Sequence, residues 1–319
     1  MRSIVTRRVL LAAGVSLAPG SAFGQASPDK RFSFYFRPEP RSTIAYQVTE
    51  RELLSGGRGK HSERRWRYTL TVVLGQPSGD MWPATVTVSD VSVLNDKDSY
   101  PYLYLTLVQI AEGLPIAVRL DRFGFVDEVV DWPTVRTKLK RALADRVPRE
   151  DALLVPEILD RADAAQGSGM IGRMLTLIGG GYTVTFRMDG SSLAVPNWVG
   201  GSAYVWPSGR TMTTEYRGQD AAKGLMAVQW SIATDPAVAA RHLGPELRSF
   251  LSGRSGQDVA TARDEIDKAL ASGGVTLKEN GEVLYSRSRR IISTYASMLE
   301  IELGRFRKER EVLAELISP

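Results

Sequence analysis

The sequence contains no cysteine and only two histidines, His61 and His242, among 319 residues. The absence of cysteine excludes disulfides, thiolate nucleophiles, cysteine-ligated zinc and iron–sulfur clusters. Two histidines leave little material for a histidine-rich metal site, and no Gly-x-Ser-x-Gly elbow accompanies either one. We therefore expect no metal and no cofactor, and we assign no catalytic residue.

The sequence also lacks an apolar run long enough to span a membrane. A spanning helix needs about 20 apolar residues, whereas Val9–Leu17 supplies nine. Three arginines precede this run, and Ala22-Phe23-Gly24 follows it with small residues where a signal peptidase requires them. This pattern predicts a cleaved export signal over residues 1–24, a flexible linker over 25–30 and a soluble periplasmic protein.

The arginines of the signal resemble a specific export motif. Thr6-Arg7-Arg8-Val9-Leu10-Leu11 is similar to the twin-arginine signal, although Ala12 stands where that motif usually has lysine. The resemblance implies export of a folded protein, and a general secretory signal is the alternative. Residues 1–24 contain three arginines and no acidic residue, so the rest of the chain has a net charge of +2 rather than +5. This small excess argues against nucleic acid as a partner.

Alternation of apolar and polar residues is the dominant pattern in the rest of the chain. A period of two is typical of half-buried antiparallel strands. It predicts strands at 43–48, 67–74, 182–188 and 226–232. Between Ala84 and Val93 the alternation slips at Ser89-Asp90, which predicts a β-bulge.

Three turn signals accompany the predicted strands: Asp121–Gly124, Asp189-Gly190 and Asn280-Gly281. Asn-Gly and Asp-Gly favour tight hairpins because both residues tolerate positive φ. Hairpins join antiparallel neighbours, so these signals predict an antiparallel sheet.

Two helical blocks interrupt the strands. The first begins with Asp131 as N-cap and Pro133 in the first turn, and we expect further helices at 153–165 and 170–178. Its first helix has one apolar face, formed by Trp132, Val135, Leu139, Ala142 and Leu143. The second block begins at Asp235-Pro236 and includes a helix over 255–271. Strands with helical insertions at about 132–178 and 236–271 predict a single α+β domain over 31–319.

Two sequence patterns resemble functional sites, a dinucleotide-binding glycine motif and a pair of catalytic carboxylates, but we favour a structural role for both. Residues 167–172 match Gly-x-Gly-x-x-Gly, but no buried strand precedes them, so we interpret them as a loop rather than a dinucleotide site. Four carboxylates, Asp121, Asp127, Glu128 and Asp131, could imitate a glycosidase pair. A turn residue, two solvent-facing strand residues and a helix cap explain them separately, and hydrolysis is therefore the weaker hypothesis.

Two sets of residues are candidates for binding. An apolar set combines aromatic residues beside Gly and Pro with methionines on an apolar helix, and could line a ligand pocket. A basic set could meet anionic lipid, although solvated strand faces are the simpler explanation. The apolar set is Trp198, Tyr204, Trp206, Met170 and Met174, and the basic set is Arg64, Arg65, Arg67, Arg287 and Arg289.

The strand pair LDRFGFVDEVV at 120–130, the export signal and the inserted helices resemble the Lol-type lipoprotein carriers. The chain is equally similar to secreted β-rich proteins of Gram-negative bacteria. The carrier resemblance implies a curved antiparallel sheet, like half a barrel, whose concave apolar face receives acyl chains under covering helices. It favours a non-enzymatic carrier for an apolar or lipid-like ligand. The alternative is an interaction protein whose basic strand faces bind an envelope protein or an anionic membrane surface.

Overall fold

The computed structural model describes the chain from residue 31 to residue 318 with several gaps. The described residues are 31–56, 60–95, 103–147, 155–175, 185–188, 190–191, 193–196, 210–240, 264, 267–272, 274–304 and 306–318. The expected export signal, the linker at 25–30 and the aromatic candidates Trp198, Tyr204 and Trp206 lie outside them.

Strands dominate the described residues. They are β1 (Arg31–Ser33), β2 (Thr43–Gly56), β3 (Lys60–Leu74), β4 (Trp82–Val93), β5 (Ile116–Leu120), β6 (Val126–Val129), β7 (Thr185–Arg187), β8 (Leu193–Pro196), β9 (Arg210–Asp220), β10 (Leu225–Thr234), β11 (Val275–Ser286), β12 (Ile291–Leu303) and β13 (Phe306–Ser318). The longer helices are α1 (Leu103–Ala111), α2 (Trp132–Arg146), α3 (Val155–Arg161) and α4 (Ala164–Leu175). Residues 236–240 and 267–271 are also helical.

Eleven strands form one large antiparallel sheet in the order β6-β5-β4-β3-β2-β13-β12-β11-β10-β9-β8. Its outermost strands, β6 and β8, do not pair with each other in the described part of the chain, so the sheet is open. A second, two-stranded sheet joins β1 to β7. The predicted α+β class with a curved antiparallel sheet is confirmed.

The predicted bulge and one predicted hairpin are present. Arg67 pairs with Ser92 and Thr69 with Ser89, so two residues of β4 oppose Tyr68. Asp90 accommodates the extra residue with a φ of 56°. The turn at Asp121–Gly124 joins β5 to β6, with Gly124 at a φ of 87°.

The hairpin predicted at Asn280-Gly281 is wrong. Both residues lie inside β11, which pairs along its length with β10 and β12. The glycine is needed for packing, because a Cβ on Gly281 would lie 2.5 Å from the Trp230 ring and 2.5 Å from the Ala296 carbonyl oxygen. Gly190 does turn with a φ of 78°, but the flanking strands β7 and β8 pair with β1 and β9 rather than with each other.

Helix α2 follows the sequence prediction closely. The Asp131 carboxylate accepts a hydrogen bond from the Thr134 amide, and Pro133 occupies the first turn. The five residues of the predicted apolar face are the buried residues of this helix: Trp132, Val135, Leu139, Ala142 and Leu143.

The glycine motif at 167–172 is helical, which corrects its interpretation as a loop. It lies in α4, which begins at Ala164, while α3 ends at Arg161 where we expected one helix over 153–165. A Cβ on Gly167 would lie 2.3 Å from the Trp132 ring. The Trp132 indole is itself fixed, because its N–H donates to the Ala162 carbonyl at 3.0 Å. The motif therefore allows two helices to approach closely.

Most buried apolar residues form one core, which combines residues of helices α1–α4 with the buried face of the large sheet. Helix α1, which the sequence analysis does not anticipate, contributes Leu105, Val108 and Ile110 to it. A smaller cluster joins residues 236–240 and 267–271 to β11 and β12. Asp235 caps the first of these helical segments as predicted, accepting from the Ala237 and Val238 amides.

Candidate functional site

Met170 and Met174 are the members of the apolar candidate set that the structure describes. Both lie on α4, where Met174 is buried in the main core and Met170 packs against it. Their side chains contribute to the packing of the helix against the rest of the molecule.

The basic candidate residues do not share one face. On β3, Arg64 lies on the same face as the buried Trp66, whereas Arg65 and Arg67 are exposed on the other face. The Arg65 guanidinium is paired with Glu63 at 2.8 Å. Arg287 and Arg289 lie in the β11–β12 turn, and their exposed side chains belong to a different end of the sheet.

The carboxylates near the β5–β6 hairpin serve the fold. Asp121 accepts hydrogen bonds from the amides of Phe123 and Phe125, and burial raises the pKa of its carboxyl. Glu128 forms an exposed ion pair with Arg119 at 2.9 Å, and Asp131 caps α2. The contacts of Asp121, Glu128 and Asp131 therefore agree with the roles expected from the sequence, which are a turn residue, a solvent-facing strand residue and a helix cap.

A buried charge network, which no local sequence pattern indicates, lies on the face of β2, β3 and β13 that carries the buried Trp66 and Tyr68. We define it as Glu50, Glu52, Tyr68, Lys308 and Arg310. Glu50 and Glu52 are each only 2% exposed. Arg310 donates to Glu50 from two nitrogens at 2.7 and 2.9 Å, and Lys308 pairs with Glu52 at 2.6 Å.

Tyr68 completes this network by donating its hydroxyl to Glu50 at 2.8 Å. Burial, followed by the charge of Glu50, raises the pKa of Tyr68 well above its usual value, so the phenol stays protonated and remains a donor. Each acid of the network thus meets a cation of this same network, which is the arrangement that makes buried charges tolerable in a protein interior.

A second group of charged residues surrounds an open pocket of about 630 Å³, which we call the arginine pocket. It forms where residues 34–37 meet the loops after β3 and β5, the start of β10 and the β11–β12 connection. Its lining residues are Phe34, Tyr35, Arg37, Asp80, Arg122, Met226, Ser286, Arg287 and Arg290. None of its described lining residues belongs to α4.

Backbone hydrogen bonds fix the frame of the arginine pocket. The Phe36 amide donates to the Arg122 carbonyl at 2.9 Å, and the Arg37 amide donates to the Arg290 carbonyl at 3.4 Å. The segment 34–37 therefore bridges two turns that are distant in sequence. Because residues alternate along it, Phe34 and Phe36 are buried while Tyr35 and Arg37 point outward.

Aromatic rings support the guanidinium groups at the mouth of the pocket. Tyr35 stacks on Phe123 with ring centroids 5.7 Å apart. The Arg122 guanidinium lies 4.9 Å from the Phe123 centroid and 6.0 Å from that of Tyr35, and Arg37 lies 5.7 Å from Tyr35. Stacking on a ring face leaves the N–H edges of an arginine available for hydrogen bonds.

The charge of the pocket is unbalanced. Its described lining residues include four arginines and one carboxylate, Asp80, for a net formal charge of +3. Arg122 and Asp80 approach to 3.8 Å, with more than half of each side chain exposed. Within the described part of the chain, no carboxylate lies within ion-pair distance of Arg37, Arg287 or Arg290, and Arg287 reaches a single neutral amide at 3.5 Å.

The deeper wall of the arginine pocket is apolar. Phe34 and Met226 are almost fully buried, and the Phe34 ring packs on Tyr285 with centroids 3.8 Å apart. Ser286 adds one hydroxyl beside them. Arginines at the mouth and apolar side chains behind them can accommodate a molecule that has an anionic group and an apolar part.

Sequence reasoning identified one residue of this pocket, Arg287, as a basic candidate. Ser286 and Arg290 lie at the same β11–β12 connection as Arg287, whereas the remaining lining residues come from separate segments that no local pattern connects to it. The alternation Phe34-Tyr35-Phe36-Arg37 is the one available signal, because it places an aromatic ring and a cation on the same outward face.

Comparisons with known proteins identify no family: no protein-family model and no curated protein sequence matches the chain. None of the helices in the described ranges is long and apolar enough to cross a membrane.

Several solved structures resemble the chain weakly. A structure of lipovitellin, solved for its lipid–protein interactions, has 9% identity and a TM-score of 0.43, and the match covers 88% of this chain but 26% of the lipovitellin chain. The attachment invasion locus protein Ail of Yersinia pestis has 6% identity, a TM-score of 0.15 and coverages of 87% and 99%. OmpF of Salmonella typhi, in complex with daunomycin, has 10% identity, a TM-score of 0.18 and coverages of 85% and 73%. With scores this low, the function has to be inferred from the chain's own residues.

Proposed function

We propose that the protein is a non-enzymatic binding or carrier protein for an anionic, lipid-like ligand, and that it acts in the periplasm after export. The observation that supports this proposal most directly is the arginine pocket, where three arginines without carboxylate partners among the described residues surround an opening with an apolar wall. The anionic group would bind the guanidinium edges, and the apolar part would contact Phe34 and Met226.

The electrostatics of the pocket favour an external anion. Guanidinium groups that already pair with carboxylates bind a further anion only by giving up those pairs. Arg37, Arg287 and Arg290 have no such pair among the described residues, so an anion gains their hydrogen bonds without that cost. Charge-assisted hydrogen bonds of this kind contribute about 1.5 to 3 kcal/mol each.

The size and lining of the pocket favour an amphiphile over a bare ion. A volume of about 630 Å³ falls in the range typical of organic ligands and far exceeds that of a single phosphate. Each methylene group that leaves water for the apolar wall adds roughly 0.8 kcal/mol. A lipid-like anion should therefore bind more tightly than the corresponding inorganic anion.

Isothermal titration with three probes tests this proposal. We expect dodecyl phosphate, used below its micelle concentration, to bind at least about tenfold more tightly than inorganic phosphate or dodecanol. Equal affinity for inorganic phosphate would contradict a lipid-like ligand, and equal affinity for dodecanol would contradict recognition of the anion.

Variants locate the binding site. Arg287→Ala combined with Arg290→Ala should weaken dodecyl phosphate binding by about 100-fold, since two charge-assisted contacts are lost. Arg119→Ala combined with Arg141→Ala is the matched control, because both are exposed arginines that pair with carboxylates outside the pocket, Glu128 and Asp145. Equal losses in the double variant and the control would place binding elsewhere.

A further inference from the structure

We propose that Asp80 competes with the bound anion for Arg122 and thereby sets the affinity of the arginine pocket and its response to ligand charge. This inference rests on the proposed function. Asp80 is the one carboxylate among the described residues that line the pocket, and the described contacts pair it with Arg122 alone.

The geometry places Asp80 where an incoming anion would displace it. Arg122 comes from the β5–β6 turn and Asp80 from the loop after β3, and the closest nitrogen and oxygen are 3.8 Å apart. That distance exceeds a hydrogen bond, so the ion pair is loose. Arg122 is meanwhile held by the rings of Tyr35 and Phe123, whereas no described hydrogen bond fixes the Asp80 side chain.

Removing the negative charge of Asp80 should raise the affinity of the pocket for an anion. Replacing Asp80 by the neutral, similarly shaped asparagine raises the net charge of the lining from +3 to +4 and frees Arg122. At a separation of about 4 Å in a solvent-exposed setting, one unit charge changes affinity about fivefold for a monoanion. A phosphomonoester carries nearly two charges at pH 8, so its gain should be larger.

A lower affinity of the pocket for its ligand suits a carrier, which has to release the ligand as well as bind it. A ligand that is bound by four free arginines leaves slowly, because differences in affinity are expressed mainly in the dissociation rate. A carboxylate of the protein that takes back one arginine as the ligand departs speeds release. The expected ligand class is accordingly an amphiphile with a dianionic head group, which the remaining charge of +3 still holds.

The test compares Asp80→Asn with wild type for dodecyl phosphate, dodecanoate and dodecanol at pH 8. We expect affinity gains of about tenfold or more for the phosphate and about threefold to fivefold for the carboxylate, with no change for the alcohol. Asp145→Asn is the matched control, because Asp145 pairs with Arg141 at 3.9 Å on the exposed side of α2 and its replacement changes the net charge equally.

The results separate this inference from the proposed function. If wild type binds dodecyl phosphate but Asp80→Asn binds it no better, Asp80 is not a competitor and the inference fails alone. Equal gains for all three probes, or an equal gain in Asp145→Asn, also overturn it. If neither wild type nor Asp80→Asn binds dodecyl phosphate, the proposed function itself is wrong.

Discussion

Glu50 and Glu52 in the buried charge network each meet a cation from β13, whereas Arg37, Arg287 and Arg290 in the arginine pocket meet no carboxylate among the described residues. The two regions contain similar charged side chains, but those of the network form ion pairs, whereas these three arginines of the pocket have no described carboxylate partner. Burial explains the difference, since an unpaired charge in the interior is costly while an unpaired arginine at the surface remains hydrated. Pairing thus distinguishes charges that maintain the fold from charges that are available to a ligand.

The largest expected effect comes from breaking the buried charge network. Glu50→Gln removes the negative charge that faces Arg310, whose side chain is 13% exposed, and should lower the free energy of unfolding by about 3 to 5 kcal/mol. Urea denaturation measures this change. Adding Arg310→Met should recover part of the loss, because no unpaired charge then remains. A loss below about 1 kcal/mol would show that the network is not needed for stability.

An intermediate effect is expected on the opposite face of the sheet, where Arg51 donates to Glu63 at 3.1 Å and Glu311 at 3.2 Å. These side chains are about one quarter to one third exposed, so Arg51→Met should cost about 1 kcal/mol or less at pH 7. The hydrogen bond from Arg51 lowers the pKa of Glu63 below 4.5.

The lowered pKa of Glu63 gives this prediction a pH dependence. Glu63 binds a proton more weakly in the folded chain than in the unfolded chain, so its contribution is present above pH 4.5 and is lost as the pH falls through the folded pKa. The stability difference between wild type and Arg51→Met should therefore shrink between pH 7 and about pH 3. Urea denaturation at both pH values checks this, and a constant difference would contradict it.

The smallest effect on stability is expected in the arginine pocket. Arg287→Ala with Arg290→Ala removes two exposed charges without described carboxylate partners, so the free energy of unfolding should change by no more than about 0.5 kcal/mol. The same variant should bind dodecyl phosphate about 100-fold more weakly. A large loss of stability in this variant would contradict the distinction between the two regions, because these arginines would then stabilise the fold as the buried charge network does.

Local patterns predicted the elements whose determinants are close together in the sequence. The alternation in β10, the slip at Ser89-Asp90 and the capped, one-faced helix α2 depend on neighbouring residues and are present in the structure. Each of these features follows from the period of a strand or a helix and from short-range hydrogen bonds.

Two glycines have a role in the structure that differs from the one their sequence patterns predict, and the physical reason is the same for both. The sequence patterns predict a turn at Gly281 and a loop at Gly167, but each glycine lies inside a strand or helix against a tryptophan ring. Trp230 covers the first and Trp132 the second, and both rings come from elsewhere in the chain. From the local sequence, a glycine that leaves space for a distant side chain cannot be distinguished from a glycine that adopts a positive φ.

The sequence by itself determined the strand and helix periodicity, the antiparallel α+β class and the absence of cysteine chemistry, because these depend on composition and on residues a few positions apart. The tertiary structure decided which charges are paired. Glu50 and Arg310 are 260 residues apart, and the arginine pocket combines five segments from residue 34 to residue 290. Whether a charge belongs to the fold or to a ligand depends on its burial and its spatial neighbours, and these are set only when distant strands pair.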